Sequence, residues 1–595
     1  MSVKTPGCSK EVSERWLQEV LKDHLAESHP GGQHDVTTFT ITPGAAPGDS
    51  LQSELVLLDV WVKVKEDGSP ASQGASPVLQ DGSPASPDGS PASPDSSPAS
   101  PDSSPASPDS SPASPDSSPA SPDSSPASPD STVVHLAAKF YSSDIMTREL
   151  NKRMNSGQKE HLIYTKIIKE LNQFQADRAP DEPGISIPHL IYGRCAGNEN
   201  VLLMENIKIQ GYNTVDKRKG LDFEHLKVCI EHIARLHALS HAFYREKDFR
   251  NKYPCFQSTS EHLKFLKPVL DAMLDIAIAF LRTLNDKKDV TQRLEACKQS
   301  LLDKYSAILL DGESITCLNH GDCWINNIMY RYKSPLARTS HVDSQANNED
   351  SQTSQHDSPA SHKDSQTLAS HEQSWATHKD SQDGHNISKA PASQRVSHAH
   401  ESHQEIDALK IIDWGNSTWG NPVFDLQFLL YTSTTRTVRN AHLDHLLHLY
   451  HSTFTKLTAK LGSPAANWSY EQFKLDWDRT YTVGFLFGST MSLGTLNTSI
   501  NVNKAPQPSC LDKPFLLPVK VVVDGIKLGM VKLFLPLFEK PIGEFLTKNM
   551  FLYIYKIILK ELRSGQNEIM NTRFIDLICE ADEKGIFSTE SVITE

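Results

Sequence analysis

No Cys-x-x-Cys pair occurs anywhere in the 595 residues, and the nine cysteines are scattered and odd in number. That pattern excludes a zinc ribbon, a thioredoxin-type redox motif and a disulfide-stapled scaffold, and it predicts reduced thiols. No segment supplies the ~20 consecutive apolar residues a membrane helix needs. The stretch MSVKTPGCSKEVSERWLQEVLKDHL has no apolar run ahead of a small-residue cleavage site. The chain therefore reads as cytoplasmic, with no membrane partner. Positive charge is also short: 59 Lys and Arg stand against 73 Asp and Glu, for a formal net charge of −14. Without a basic stripe to displace counterions from phosphates, a nucleic-acid partner is excluded.

Two stretches lack what a core requires. Residues 66–132 repeat a seven-residue Ser-Pro-Ala-Ser-Pro-Asp-Ser unit, with Asp88, Asp95, Asp102, Asp109, Asp116, Asp123 and Asp130 in register. Proline at that density forbids helices and sheet ladders, so a solvated tether is expected. Residues 334–405 are rich in Ser, His, Gln and Asp and hold nine of the 25 histidines without periodicity. His398, His400 and His403 invite a metal reading, but ligands on such a segment lose ordering entropy on binding, and a solvated linker is favoured. The remaining residues suffice for a two-lobed molecule.

Periodicity orders those residues. Residues 10–26 place Val12, Trp16, Val20, Leu21 and Leu25 on one helical face behind a Ser9 cap, giving an amphipathic helix within a 1–29 amino-terminal region. FTITPGAAPGDS and SELVLLDVWVKVKE predict a hairpin, VVHLAAKFY a strand carrying Lys139, and residues 146–175 helix carrying Glu160. PHLIYG and NVLLMENI read as strands, which closes a β-rich lobe over 30–207. Residues 208–595 are mostly helical (222–245, 259–284, 288–310, and a series over 424–583), interrupted by a hairpin of TCLNHGDCWINNIMYRY and ALKIIDWGN. The class is α+β, a small β-rich lobe followed by a large helical one. Both low-complexity inserts fall in hairpin turns, where long loops cost little if their ends stay close.

The chemistry sits on that second hairpin. An apolar strand delivering Asp322, Asn327 five residues on, and Asp413 ending another apolar strand are what phosphoryl transfer from a nucleotide requires. Asp322 orients the acceptor hydroxyl, while Asn327 and Asp413 hold Mg²⁺ against the phosphates of ATP. His320 braces the loop and Trp324 packs. Lys139 on its strand and Glu160 on the next helix match a phosphate-gripping Lys held by a carboxylate. Gly44 and Gly48, with Asp49 and Ser53, form either a flap whose amides approach phosphate or a plain hairpin bend. Glu205 and Ile207, ending their strand, would offer backbone groups to the adenine edge. Only WGNSTWGNPVFD follows Asp413 before helix resumes, too short for an activation loop, which favours a small-molecule hydroxyl acceptor over a peptide.

HGDCWINN, IIDWGN and GNPVFDL together resemble the ecdysteroid-kinase-like family, which groups with choline kinase and aminoglycoside phosphotransferases. ENI after a hydrophobic strand, IARLHALSHAFY, and Glu160 with Tyr164 agree with it. The resemblance implies a protein-kinase-like fold and ATP-dependent phosphorylation of an ecdysteroid or a related steroid or xenobiotic alcohol. A choline or ethanolamine kinase and a non-catalytic ligand-binding protein are the alternatives. By matching position, Asp322 is the catalytic base, Asn327 and Asp413 the metal ligands, Lys139 and Glu160 the phosphate-gripping pair, and Asp425 a supporting residue. The chain departs from the family at Trp414, where members often have Phe, and in the flap GAAPGDS. No feature specifies an oligomeric state.

Overall fold

The computed structural model describes residues 3–28, 32–45, 53–66, 131–141, 151–152, 154–196, 199–245, 248–257, 260–310, 315–333, 405–465, 468–498 and 556–588. The Ser-Pro repeat, the His-rich stretch with His398, His400 and His403, and Gly48, Asp49 and Cys510 lie outside the described residues. The eight described cysteines are free thiols.

The first lobe is an antiparallel sheet of β1 (Gly32–Pro43), β2 (Ser53–Glu66), β3 (Ser131–Tyr141), β4 (Leu190–Ala196) and β5 (Glu199–Glu205), in the order β1-β2-β3-β5-β4. Period-two alternation decides its two faces. Val56, Leu58, Val60 and Val62 of β2, Leu136, Ala138 and Phe140 of β3, and Val201 and Leu203 of β5 form one cluster. Trp16, Leu17, Leu21 and Leu25 from the amino-terminal helices cover it. The intervening Leu55, Leu57, Ala137, Lys139 and Met204 therefore turn to the other side, where they line a cleft.

The amino-terminal segment departs from one Ser9-capped helix. Ser9 opens a short 3₁₀ turn, and its hydroxyl as well as its backbone N–H donates to Glu54 of β2, which takes the side chain away from capping. Ser13 caps instead, accepting from the Trp16 N–H at 3.3 Å, and the helix breaks at Leu21 into α1 (Glu14–Val20) and α2 (Lys22–Ser28). Helices of seven residues are too short to stand alone in water, so packing on the sheet holds them.

Residues 66, 131 and 132, read from sequence as part of the repeat, belong to strands: Lys63 pairs with Ser131 and Val62 with Thr132, while Gly32 pairs with Glu66. Backbone pairing outweighs the local composition there. Residues 67–130 thus connect hydrogen-bonded neighbours. In the same way Ile328 pairs with Ile411, and the Lys333 N–H donates to the Glu405 carbonyl at 2.9 Å, closing the second hairpin around residues 334–404.

Helix α3 (Ser156–Leu162), a π turn (Ile163–Ile167) and α4 (Ile168–Arg178) follow β3. The second lobe holds α5 (Phe223–Arg245), α6 (Ser260–Leu281), α7 (Lys288–Leu310), α8 (Val423–Ser433), α9 (Arg436–Lys460), α10 (Tyr470–Arg479), α11 (Tyr481–Thr495) and α12 (Glu568–Glu583), with residues 556–564 also helical. Among them lie a three-stranded sheet, β6 (Asn213–Thr214), β8 (Ile328–Tyr332) and β9 (Ile406–Ile411), and the short ladder of β7 (Cys317–Asn319) with β10 (Thr418–Gly420). The fold is protein-kinase-like: a small sheet lobe over a large helical one. Among the described residues no helix is long and apolar enough to cross a membrane.

Candidate active site

A cavity of about 320 Å³ opens where the two lobes meet. Its lining includes Gly44, Ser53, Lys139, Glu160, Glu205, Ile207, Asn327 and Asp413. Residues far apart in sequence thus share one space, because the ends of β3, β5, β8 and β9 converge on it. Asp322 is tied to this lining through Asn327, whose Nδ2 donates to the Asp322 carbonyl at 2.9 Å and to its Oδ2 at 3.3 Å.

Lys139 joins the two walls. Its Nζ donates to Glu160 Oε1 and Oε2 at 2.9 and 2.7 Å and to Asp413 Oδ1 at 2.7 Å. Glu160 also accepts from the Tyr141 hydroxyl and from the Trp414 N–H. Burial by itself would favour the neutral amine; the Asp413 and Glu160 charges outweigh it and hold Lys139 as a cation. Asp413 lies deep in the cleft with 43% of its side chain open to the cavity. Enclosure alone would raise its pKa, but the adjacent Lys139 ammonium brings it below the ordinary value. Its backbone is left-handed at φ 65°, a conformation Asp adopts at some cost and one that recurs at functional sites.

Asp322 behaves oppositely. Enclosure and then the Asp413 charge push its carboxyl up to about 7, against the Asn416 and Asn327 amides and the more distant Lys139. Both amides go to Oδ2, each at 3.3 Å, which leaves Oδ1 to meet a proton. His320 is a brace. Its Nε2 must donate to the Ile412 carbonyl at 3.0 Å, so its Nδ1 lone pair accepts the Asp322 N–H at 3.3 Å, and burial keeps its pKa low. With that lone pair occupied, the ring does not serve as a base. Trp324 is 8% exposed and packs in the core.

Asp425, at the start of α8, sets the loop itself. Its two oxygens accept the His320 N–H at 2.6 Å and the Gly321 N–H at 2.9 Å. His237 of α5 bonds the same carboxylate at 3.1 Å and Tyr450 of α9 at 2.8 Å. Gly321 has φ +78°, and a Cβ there would lie 2.1 Å from the Asn416 carbonyl oxygen. Gly321→Ala is therefore expected to lower stability by about 3 kcal/mol, combining left-handed strain with overpacking; the midpoint of urea unfolding measures it. Sequence reasoning missed Asn416, Tyr141, His237 and Tyr450, although all but Tyr450 stand inside the quoted segments.

Two expectations change. The Gly44 N–H donates to the Leu55 carbonyl at 2.9 Å, and a Cβ at Gly44 would lie 2.8 Å from the Leu55 side chain. Glycine is thus required there by close strand packing, and its amide is spent in the hairpin instead of being held for phosphate. Ile207 does not end a strand: β5 stops at Glu205, and Ile207 opens a 3₁₀ turn, Ile207–Gln210, whose first N–H has no partner within the turn. The Glu205 side chain bonds Lys410, the His189 N–H and Gln210, so any service to a ligand comes from its backbone.

The donor set fits Mg²⁺. Among the described residues no three His, Cys, Asp or Glu side chains gather as a metal cage. Asn327 has its amide nitrogen committed to Asp322, leaving a carbonyl oxygen on a residue that lines the same cavity as Asp413. Two hard oxygen donors, completed by phosphates and water, are what that ion takes.

Residues 125–355 and 397–463 match the ecdysteroid kinase-like family. The chain belongs to this family. The matched segments of this ecdysteroid kinase-like protein include Lys139, Glu160, Asp322, Asn327, Asp413 and Asp425, whereas Gly44 and Ser53 fall outside them. The family is generally one of small-molecule phosphotransferases. No curated protein and no solved structure matches the chain.

Proposed function

We propose that the protein transfers the γ-phosphate of ATP to a hydroxyl of a small molecule, with an ecdysteroid or related steroid or xenobiotic alcohol as acceptor. The observation that carries this reading is Lys139, bridging Glu160 in one lobe and Asp413 in the other across the cavity. A cation fixed at the junction of two walls suits a polyanion bound between them. Leu57, Ala137, Met204 and Ile207 supply apolar surface for a base, with the Ile207 N–H at its edge.

Asp322 then receives the hydroxyl proton at Oδ1 while Asn416 and Asn327 fix its Oδ2. In the metal-free protein, enclosure and then the Asp413 charge push that carboxyl up to about 7, so it holds a proton more readily than an ordinary carboxylate, as a base requires. Asp425 and His320 keep the loop from turning that oxygen away. Asn327 and Asp413 would hold Mg²⁺, which supplies charge neutralisation at the terminal phosphates. The short segment after Asp413 leaves no peptide platform and supports a small acceptor.

The test incubates the full-length protein with γ-labelled ATP, Mg²⁺ and a panel of ecdysteroids, other hydroxylated sterols and choline. Label on a sterol hydroxyl is the expected result. Label on choline alone overturns the acceptor class, and nucleotide binding without transfer to any acceptor, or to extracted cell metabolites, favours ligand sequestration. Lys139→Met is expected to weaken ATP binding at least about tenfold, the loss of a charge-assisted contact to phosphate; titration with a fluorescent ATP analogue reads it.

A further inference from the structure

Lys410 lies on β9, three residues before Asp413, and no step above uses it. Its side chain is 11% exposed, and its Nζ donates to Glu205 Oε1 and to the Ile187 carbonyl, both at 3.0 Å. Each partner belongs to the wall of the cleft where a base would lie. Glu205, Asn206 and Ile207 line the cavity, as does Pro188, next to Ile187.

Glu205 extends the network. Its Oε1 accepts the His189 N–H at 3.0 Å, its Oε2 accepts Gln210 Nε2 at 2.7 Å, and its own N–H donates to the His189 carbonyl at 3.0 Å. Only a quarter of the Glu205 side chain is exposed, so water does not replace a lost partner freely. Tyr212 backs the arrangement, with the Lys410 ammonium 5.7 Å and the Arg331 guanidinium 5.1 Å from its ring centroid. Both Lys410 hydrogen bonds, to Glu205 and to the Ile187 carbonyl, go toward the base end.

We propose that Lys410 is a positioning residue for the nucleotide, fastening the β5 edge and the Ile187–Pro188 backbone to the strand that delivers Asp413. This rests on the ATP-dependent reading above. Lys410 and Asp413 are three residues, at most about 10 Å, apart along the chain, so one strand and the turn that ends it set both the base end and the phosphate end of the cleft. The spacing between base and phosphate contacts then follows from the rigidity of β9, and the small sheet pairing Ile328 with Ile411 and Tyr330 with Leu409 makes that strand rigid.

The experiment compares the full-length wild type with Lys410→Met, Glu205→Gln and the double variant. Fluorescent-ATP titration gives Kd, GTP competition gives base discrimination, and steady-state turnover gives KM and kcat. Lys410→Met is expected to raise Kd and KM for ATP about tenfold, the loss of one charged hydrogen bond supporting the site. It leaves kcat at saturating ATP within about twofold, since no group at the reacting phosphate is touched, and narrows the preference for ATP over GTP. Glu205→Gln shifts Kd in the same direction, and the double variant is no weaker than Lys410→Met, because the two side chains act through one contact. A lowered Tm with Kd, KM and base preference unchanged in both single variants overturns the proposal and leaves an ordinary tether. Should Lys410→Met fail to fold, Glu205→Gln, which preserves shape, decides in its place. Absence of nucleotide binding by the wild type overturns the ATP-dependent reading instead, and this proposal with it.

Discussion

Replacing Asp322 by Asn is expected to remove phosphate transfer while ATP still binds. The amide keeps the contacts of Asn327 and Asn416 within reach but cannot take a proton, and the cavity lining does not include residue 322. Loss of a positioned general base costs about 10²–10⁴-fold in kcat, with Kd for ATP within about twofold of wild type. Single-turnover transfer measured beside nucleotide titration separates the two quantities; equal loss of both would place Asp322 in nucleotide binding.

The same substitution makes the metal-free protein more stable at alkaline pH. The folded-state pKa of Asp322 lies near 7, above the ordinary value of 3.8. The folded state therefore binds the proton more tightly than the unfolded state, and stability falls as pH rises from about 4 to about 7. Asn carries no such charge, so the variant gains over wild type across that window and holds a constant advantage above it. The shift amounts to about 4 kcal/mol if taken whole and to about 2 kcal/mol once partial exposure to solvent is allowed for. Urea unfolding in chelator at pH 8 and at pH 4 measures it, with the difference vanishing at the lower pH.

Asp425 carries the second large effect, on stability before catalysis. It is 1% exposed and accepts from two backbone amides and a histidine. Burial alone would raise its pKa, but His237 and the Gly321 N–H overcome this and keep it ionised. Asp425→Ala strands three buried donors at once, each costing about 1–3 kcal/mol. A loss of about 4 kcal/mol is expected, with the loop of Asp322 released and transfer lost even in the fraction that remains folded. Asp425→Asn recovers part of the stability, because its single carbonyl oxygen replaces only one of the two acceptors. His237→Phe, which removes one donor and leaves the amide bonds, should be milder on both measures.

The legible parts of the site were those at which a local pattern ends. Asp322 and Asp413 follow closely on apolar strands, and Asn327 stands a fixed step from Asp322. Lys139 was recognisable because it stands in a short apolar strand with Glu160 on the helix that follows. The less legible residues act through partners in distant elements: Lys410 reaches Glu205 across 205 residues, His237 reaches Tyr450 across 213, and Asn416 reaches Asp322 across 94. None of these pairings has a spacing, since spacing exists only within an element. Gly44 shows the converse error. A glycine in a turn suggests an open amide, yet which carbonyl lies opposite depends on strand register, and here Leu55 takes it.

The sequence by itself determined the two-lobed α+β order, the strand ends that present oxygen-bearing side chains, and the hairpin positions of both inserts, because hydrophobic periodicity and chain order act within neighbouring residues. Only the tertiary structure decided that Lys139 spans both lobes, that Asp322 meets Asn327 and Asn416 with its pKa raised, and that Asp425 clamps the loop. Those outcomes depend on burial and on distances between elements, quantities that exist only after the sheet and the helices have packed.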